Sequence, residues 1–227
     1  MQHEINPEYL KHWINATPDT SNLRATILFG MLFLIDFLMV APLYADPYEA
    51  IYLQVMIPPI VLLNIWGLWI AIAPYKNQVI AELYMGILGV FMPLGYGVCS
   101  IKLFYSVLGF TTPMYAIGLL ALTVAGYYAL FKSHFQKLAS GYYYQARGKN
   151  GGSQKYVSLS GLGVFLGNMI LGMANGNTVI GILTGLCLLL ATMLSLLSLN
   201  IHRYVLMKRY PELTIIQRKP VKRTEEA

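Results

Sequence analysis

Six long apolar runs, at 25–44, 51–73, 80–100, 113–131, 157–174 and 178–200, constrain this chain more than any other feature. A helix needs about 20 apolar residues to cross the hydrocarbon core of a bilayer, and each run is near that length. Lipid offers no partner to a free backbone N–H or C=O, so such runs fold as helices that satisfy their own backbone. The composition agrees: 56% of the 227 residues are hydrophobic and 11% are charged, where a soluble domain carries about 25% charged residues. A disordered chain, a disulfide scaffold and an ordinary soluble globule are excluded. The expected fold is all-α, a polytopic transmembrane bundle of six spans. One membrane domain, 25–200, is flanked by an N-terminal segment, 1–24, and a basic tail, 201–227. The fifth run is the weakest, since it is short and carries Gly161, Gly163, Gly167, Gly172 and Asn168. The first three runs share no sequence similarity with the last three, so no internal repeat is expected.

The charges set the orientation. Lys and Arg number 16 against 10 Asp and Glu, but no nucleic-acid-binding module surrounds them, so no nucleic-acid partner is expected. They read instead as a topology signal, because Lys and Arg concentrate in cytoplasmic loops. Residues 132–156 hold Lys132, Lys137, Arg147, Lys149 and Lys155 with no acid, and residues 201–227 hold seven bases against Glu212, Glu225 and Glu226. With six spans, both termini are then cytoplasmic. The 45–50 turn, with Asp46, Glu49 and no base, falls outside; Lys76, Lys11 and Arg24 fall inside. Lys102 dissents, at the outer end of the third span, and is expected to snorkel outward. The bilayer is a bacterial plasma membrane in this reading.

Residues 1–24 are polar and slightly acidic, unlike the basic start of a signal peptide, and a cleavage near Ala45 would place Leu43 where a small residue is needed. The first run is therefore expected to be a retained anchor. Asn6-Pro7-Glu8 is a helix start, a capping side chain followed by proline, and Ile5, Tyr9, Leu10, Trp13 and Ile14 predict a short interfacial helix. The fourth span should continue through Phe131, Phe135 and Leu138 to Gly141, and the sixth through His202 to Tyr210, where Pro211 stops it. Cys99 and Cys187 lie in apolar runs and read as small buried hydrophobes.

Asp36 is the one acid deep within a run. An ionised carboxylate there costs about 2.5–3.5 kcal/mol on translocon scales, so it should face other helices or water, or hold a proton. It is either a hydrogen-bonded interhelical tie or a proton or cation site, and the absence of a partner base favours the tie. Pro58-Pro59 is expected to break the second span, freeing the carbonyls of Gln54 and Val55. Pro58 lies about 10 Å and Asp36 about 12 Å from the outer ends of their spans. Asp36, Gln54, Asn64 and Asn168, with Thr123 and Pro93 at similar depth, are candidates for a polar midplane cavity of the transporter kind. Gly163-x-x-x-Gly167 and Gly181-x-x-x-Gly185 are small-residue patterns that permit close helix pairing, within the chain or in a homo-oligomer.

No zinc-binding HExxH, no phosphate-binding loop and no CxxC is present in the sequence. A lone deep aspartate argues against a paired-aspartate protease. His3, His12, His134 and His202 all sit at or beyond run ends, which disfavours a haem held between membrane helices. No catalytic residue, metal or cofactor is expected. Two functions remain: a non-enzymatic accessory, assembly or immunity-type factor that binds another membrane protein or its own copy, and a small transporter or channel built around Asp36. The first is preferred, since the second needs residues of equal depth to converge.

Overall fold

In a computed structural model of the chain, residues 6–16, 20–44, 46–146 and 176–216 are described. Every regular element among them is helical. Five helices are long and apolar enough to cross a membrane: Asn22–Tyr44, Ala50–Ile72, Gln78–Val107, Met114–Ala139 and Thr178–Arg209. They overlap five of the six predicted runs. The run at 157–174, with Gly163, Gly167 and Asn168, lies outside the described residues.

Local chemistry sets the helix ends. Helix α1 (Pro7–Ile14) starts where Asn6 Oδ1 accepts the Glu8 N–H at 2.9 Å, satisfying one of the donors a helix start leaves free. The first long helix is composite: α2 (Thr20–Phe29), a π-helical stretch (Gly30–Met39) and α3 (Val40–Tyr44). Helices α4 (Ala50–Ile72) and α5 (Gln78–Lys102) follow, and α5 ends in a π turn, Leu103–Val107. Helix α6 (Met114–Ala139) stops at Gly141, whose φ of 70° suits glycine, and α7 is Tyr142–Ala146. Helices α8 (Gly176–Ser195) and α9 (Leu199–Arg209) are joined by a 3₁₀ turn, Leu196–Ser198, and α9 stops before Pro211.

The expected break at Pro58-Pro59 is absent, because α4 is continuous through both prolines. The rings avoid the packed stripe: Pro58 is exposed and Pro59 half-buried, while Leu53, Met56, Ile60 and Leu63 stay buried across the same turns. Membrane helices tolerate interior proline where neighbours and local adjustment take up the freed carbonyls. The irregular helix is the first one, in its π stretch.

Helix α5 is the centre of the bundle. Tyr84, Leu88, Met92, Tyr96 and Cys99 are buried against Met31, Ile35 and Met39 of the π stretch and Met56, Ile60 and Leu63 of α4. Its other side meets the α8–α9 unit almost backbone to backbone. A Cβ on Gly86 would stand 2.6 Å from the Ile201 nitrogen, and one on Gly89 would collide with the Ser198 nitrogen and the Leu197 carbonyl carbon. This is the small-residue crossing of the described bundle. Gly181 and Gly185, expected to pack closely, are exposed, and a Cβ on either meets nothing within 4 Å among the described residues.

Cross-links fix the helix directions. The Ser100 and Tyr115 hydroxyls are hydrogen-bonded, Tyr127 Oη donates to the Gly89 carbonyl at 2.7 Å, and His134 meets His202. Helix α8 packs on the π turn at 103–107 at its start, and α9 meets Glu82 through Arg203 at its middle. Helices α6 and α8–α9 therefore run parallel to one another and antiparallel to α5.

Candidate functional site

Asp36 lies in the π stretch and is half-buried. Its Oδ1 accepts from Asn64 Nδ2 of α4 at 2.8 Å. Beside them Tyr84 of α5 is fully buried and sets its ring edge-on to Trp66 at 5.4 Å. Tyr84 Oη and Asn64 Oδ1 are buried atoms without a hydrogen-bond partner among the described residues. The tyrosine fits because Gly67 faces it: a Cβ there would stand 2.5 Å from the Tyr84 hydroxyl and collide with Met31 Sδ.

Among the described residues proposed for a midplane cavity, the structure unites Asp36 and Asn64 alone. Gln54 is exposed, ten residues before Asn64 on the same helix and so about 15 Å along its axis. Asn168 lies outside the described residues. Thr123 and Pro93 line a groove of about 310 Å³ with Tyr127, Leu188 and Thr192, between α5, α6 and α8, to which neither Asp36 nor Asn64 contributes. Thr123 gives its hydroxyl to the Leu119 carbonyl of its own helix at 2.8 Å.

Lys102 does not snorkel outward. It is fully buried, and its Nζ donates to the Pro42 carbonyl at 3.0 Å and the Leu43 carbonyl at 2.7 Å. Carbonyls at a helix C-terminus have no intrahelical partner and attract cations. Tyr96 Oη to Leu34 O at 2.8 Å and Cys99 Sγ to Met39 O at 3.1 Å continue the same face of α5. Three donors at i, i+3 and i+6 thus secure the irregular first helix.

A second polar cluster closes the end of the bundle where α1 lies. Arg203 Nη1 is 3.2 Å from Glu82 Oε2 and 3.1 Å from Asn200 Oδ1, and its guanidinium lies 4.4 Å from the centre of the Trp13 ring. The Trp13 ring is 4.7 Å from that of His134 and 4.6 Å from that of Tyr143. His134 Nδ1 meets Tyr143 Oη at 3.0 Å and its Nε2 meets His202 Nδ1 at 2.9 Å. Burial, and Tyr142 beside it, push the Tyr143 phenol above its ordinary range despite Arg203. The two bonds form one chain: the phenol donates to His134 Nδ1 and His134 Nε2–H to His202, or His202 Nδ1–H donates to His134 Nε2 and His134 Nδ1–H to the phenol oxygen, according to the tautomers. Leu10, Trp13 and Ile14 pack on Leu138, Leu206 and Met207 around it. The sequence showed the histidines at run ends; nothing in it paired Glu82 with Arg203.

Among the described residues no three His, Cys, Asp or Glu side chains are grouped as metal ligands. The fold and these two clusters define an all-helical protein with helices suited to a membrane and tied to one another by polar side chains. No protein-family model, curated protein or solved structure matches the chain.

Proposed function

We propose that the chain is a non-enzymatic interaction protein of the bacterial plasma membrane, an accessory, assembly or immunity-type factor that works through its helices. The observation that carries this reading is the bond between Asp36 and Asn64. The deepest acid joins two neighbouring helices and stands apart from the groove at Thr123 and Pro93. A transporter would need such a group on a continuous polar path. Trp13, His134 and Tyr143, packed ring to ring, instead cover the α1 end of the bundle.

Six crossings with both termini cytoplasmic belong to the same proposal. Helix α6 ends beside α1 and α8 begins at the far end of α5, and the sixth crossing in this proposal is the run at 157–174, which lies outside the described residues. The α1 end carries Lys132, Lys137, Lys208 and Arg209, and the opposite turn carries Asp46 and Glu49, as cytoplasmic and outer faces should.

Purification from native membranes in mild detergent, with a flux assay on the reconstituted protein, tests the reading. A stoichiometric membrane-protein partner supports it. Cation or proton flux that disappears in Asp36→Asn overturns it in favour of transport.

A further inference from the structure

The Asp36–Asn64 pair leaves acceptor capacity open, beside the second N–H of Asn64 Nδ2. Asp36 has Asn64 as its hydrogen-bond partner through Oδ1, and the buried Asn64 Oδ1 has no partner among the described residues. Both are acceptors, and hydrocarbon supplies no donor. The pair sits within about one turn of the middle of both helices, Asn22–Tyr44 and Ala50–Ile72. Neither residue is sealed in the core: both are half-buried. Leu32, one turn before Asp36, and Val61 and Leu68, one turn either side of Asn64, are exposed. An acid with open acceptor capacity thus lies in a seam bordered by apolar side chains that face away from the bundle.

We propose that this seam seats a transmembrane helix of a different protein carrying a lysine or arginine near mid-membrane. The inference rests on the interaction reading above and names the contact. Charge complementarity selects the occupant, because an ammonium offers three donors and a guanidinium five, and opposite charges in a bilayer are stabilised by pairing. A second copy of this chain does not fit: none of the six apolar runs contains Lys, Arg or His, so a copy brings no cation to that depth. The exposed Phe29, Phe33 and Phe37, stacked at 5.0 and 6.0 Å along the first helix, give such a helix an aromatic flank.

The test uses the full protein in lipid vesicles and a synthetic Leu/Ala transmembrane peptide of about 20 residues, with either one central Lys or Leu in its place. Association is read by energy transfer between labelled protein and labelled peptide. The Lys peptide should bind about 3- to 30-fold more tightly than the Leu peptide, the span of interhelical hydrogen bonds in bilayers. Asp36→Asn should remove the preference and Asp36→Glu should keep it, with unfolding curves confirming that both variants are folded. Equal binding of the two peptides, or a preference that survives Asp36→Asn, overturns the proposal. So does saturable sodium binding by the protein alone that is lost in Asp36→Asn, which makes the pair an inorganic cation site. Equal peptide binding alongside a co-purifying partner removes this seat and leaves the interaction reading standing; Asp36-dependent flux removes that reading itself.

Discussion

Arg203 reaches Glu82 across 121 residues of chain, Nη1 to Oε2 at 3.2 Å, with each side chain 9% exposed. The pair joins the start of α5 to the middle of α9, and the same guanidinium covers the Trp13 ring of α1. Three elements distant in sequence are thereby held at one end of the bundle. Breaking a buried ion pair from one side leaves a charge without its partner and costs about 3–5 kcal/mol, whereas replacing both members with apolar groups is often near neutral. Glu82→Ala should therefore destabilise the protein by about that much. The double variant Glu82→Leu with Arg203→Met should recover most of the loss. Unfolding by dodecyl sulfate titration in mixed micelles measures both. A double variant no better than Glu82→Ala contradicts the account.

Gly89 and Gly181 offer a direct contrast. A methyl group on Gly89 collides with the backbone of the Leu196–Ser198 turn, and one on Gly181 meets no atom of the described residues within 4 Å. Overpacking a close contact costs about 1–3 kcal/mol, while alanine gains about 0.8–1.0 kcal/mol over glycine in a helix interior. Gly89→Ala should lower stability in the same titration, and Gly181→Ala and Gly185→Ala should leave it unchanged or raise it. Equal losses at all three positions would place the crossing elsewhere.

These two cases show what the sequence held and what it did not. Apolar length carries the cost of placing a helix in lipid, so five of the runs appear as helices near their expected bounds. Stop signals were readable as well, since Gly141 and Pro211 end helices for local backbone reasons. Which face of a helix meets which neighbour is not local. Gly86 and Gly89, which carry no packing motif, make the close contact with the α8–α9 unit, while the run expected to pair with Gly181-x-x-x-Gly185 lies outside the described residues. Gln54 shares a helix with Asn64 yet faces outward. Glu82 and Arg203 lie at the edges of their runs, where a charge needs no explanation, and their pairing arises only from the antiparallel course of α5 and α9. Proline misled for a similar reason. Its cost in a helix depends on whether its ring intrudes on the packed stripe, and hydropathy does not report that.

Lys102 should matter for stability through the carbonyls it satisfies. Its ammonium bonds Pro42 O and Leu43 O at the end of the first membrane helix. Lys102→Met keeps the stem's bulk and removes the donors. Each buried carbonyl left without a partner costs about 1–3 kcal/mol, so the variant should unfold at distinctly lower denaturant. Arginine is a poor substitute, because its planar fork does not match a site shaped for a compact ammonium. Lys102→Arg should restore less than half of the loss. A Lys102→Met protein as stable as the parent would show the side chain to be dispensable there.

Sidedness can be tested because both chain ends are tied to the same end of the bundle. Asn15 Nδ2 donates to the Leu213 carbonyl at 2.8 Å, and Asn15 Oδ1 accepts the Ile215 N–H at 2.8 Å. The N-terminal segment and the segment after α9 therefore share one face. Tyr144 lies on that face too, its ring 5.7 Å from that of Tyr9, while Tyr48 belongs to the turn at the opposite end. Tyr48, Tyr144 and Glu212 are exposed, and the native Cys99 and Cys187 are buried, so single cysteines at the first three positions can be read against a quiet background. With both termini in the cytoplasm, a membrane-impermeant maleimide on intact cells should label Tyr48→Cys and spare Tyr144→Cys and Glu212→Cys until the membrane is opened. The converse pattern would invert the protein. Labelling of Tyr144→Cys but not Glu212→Cys in intact cells would contradict the shared face itself.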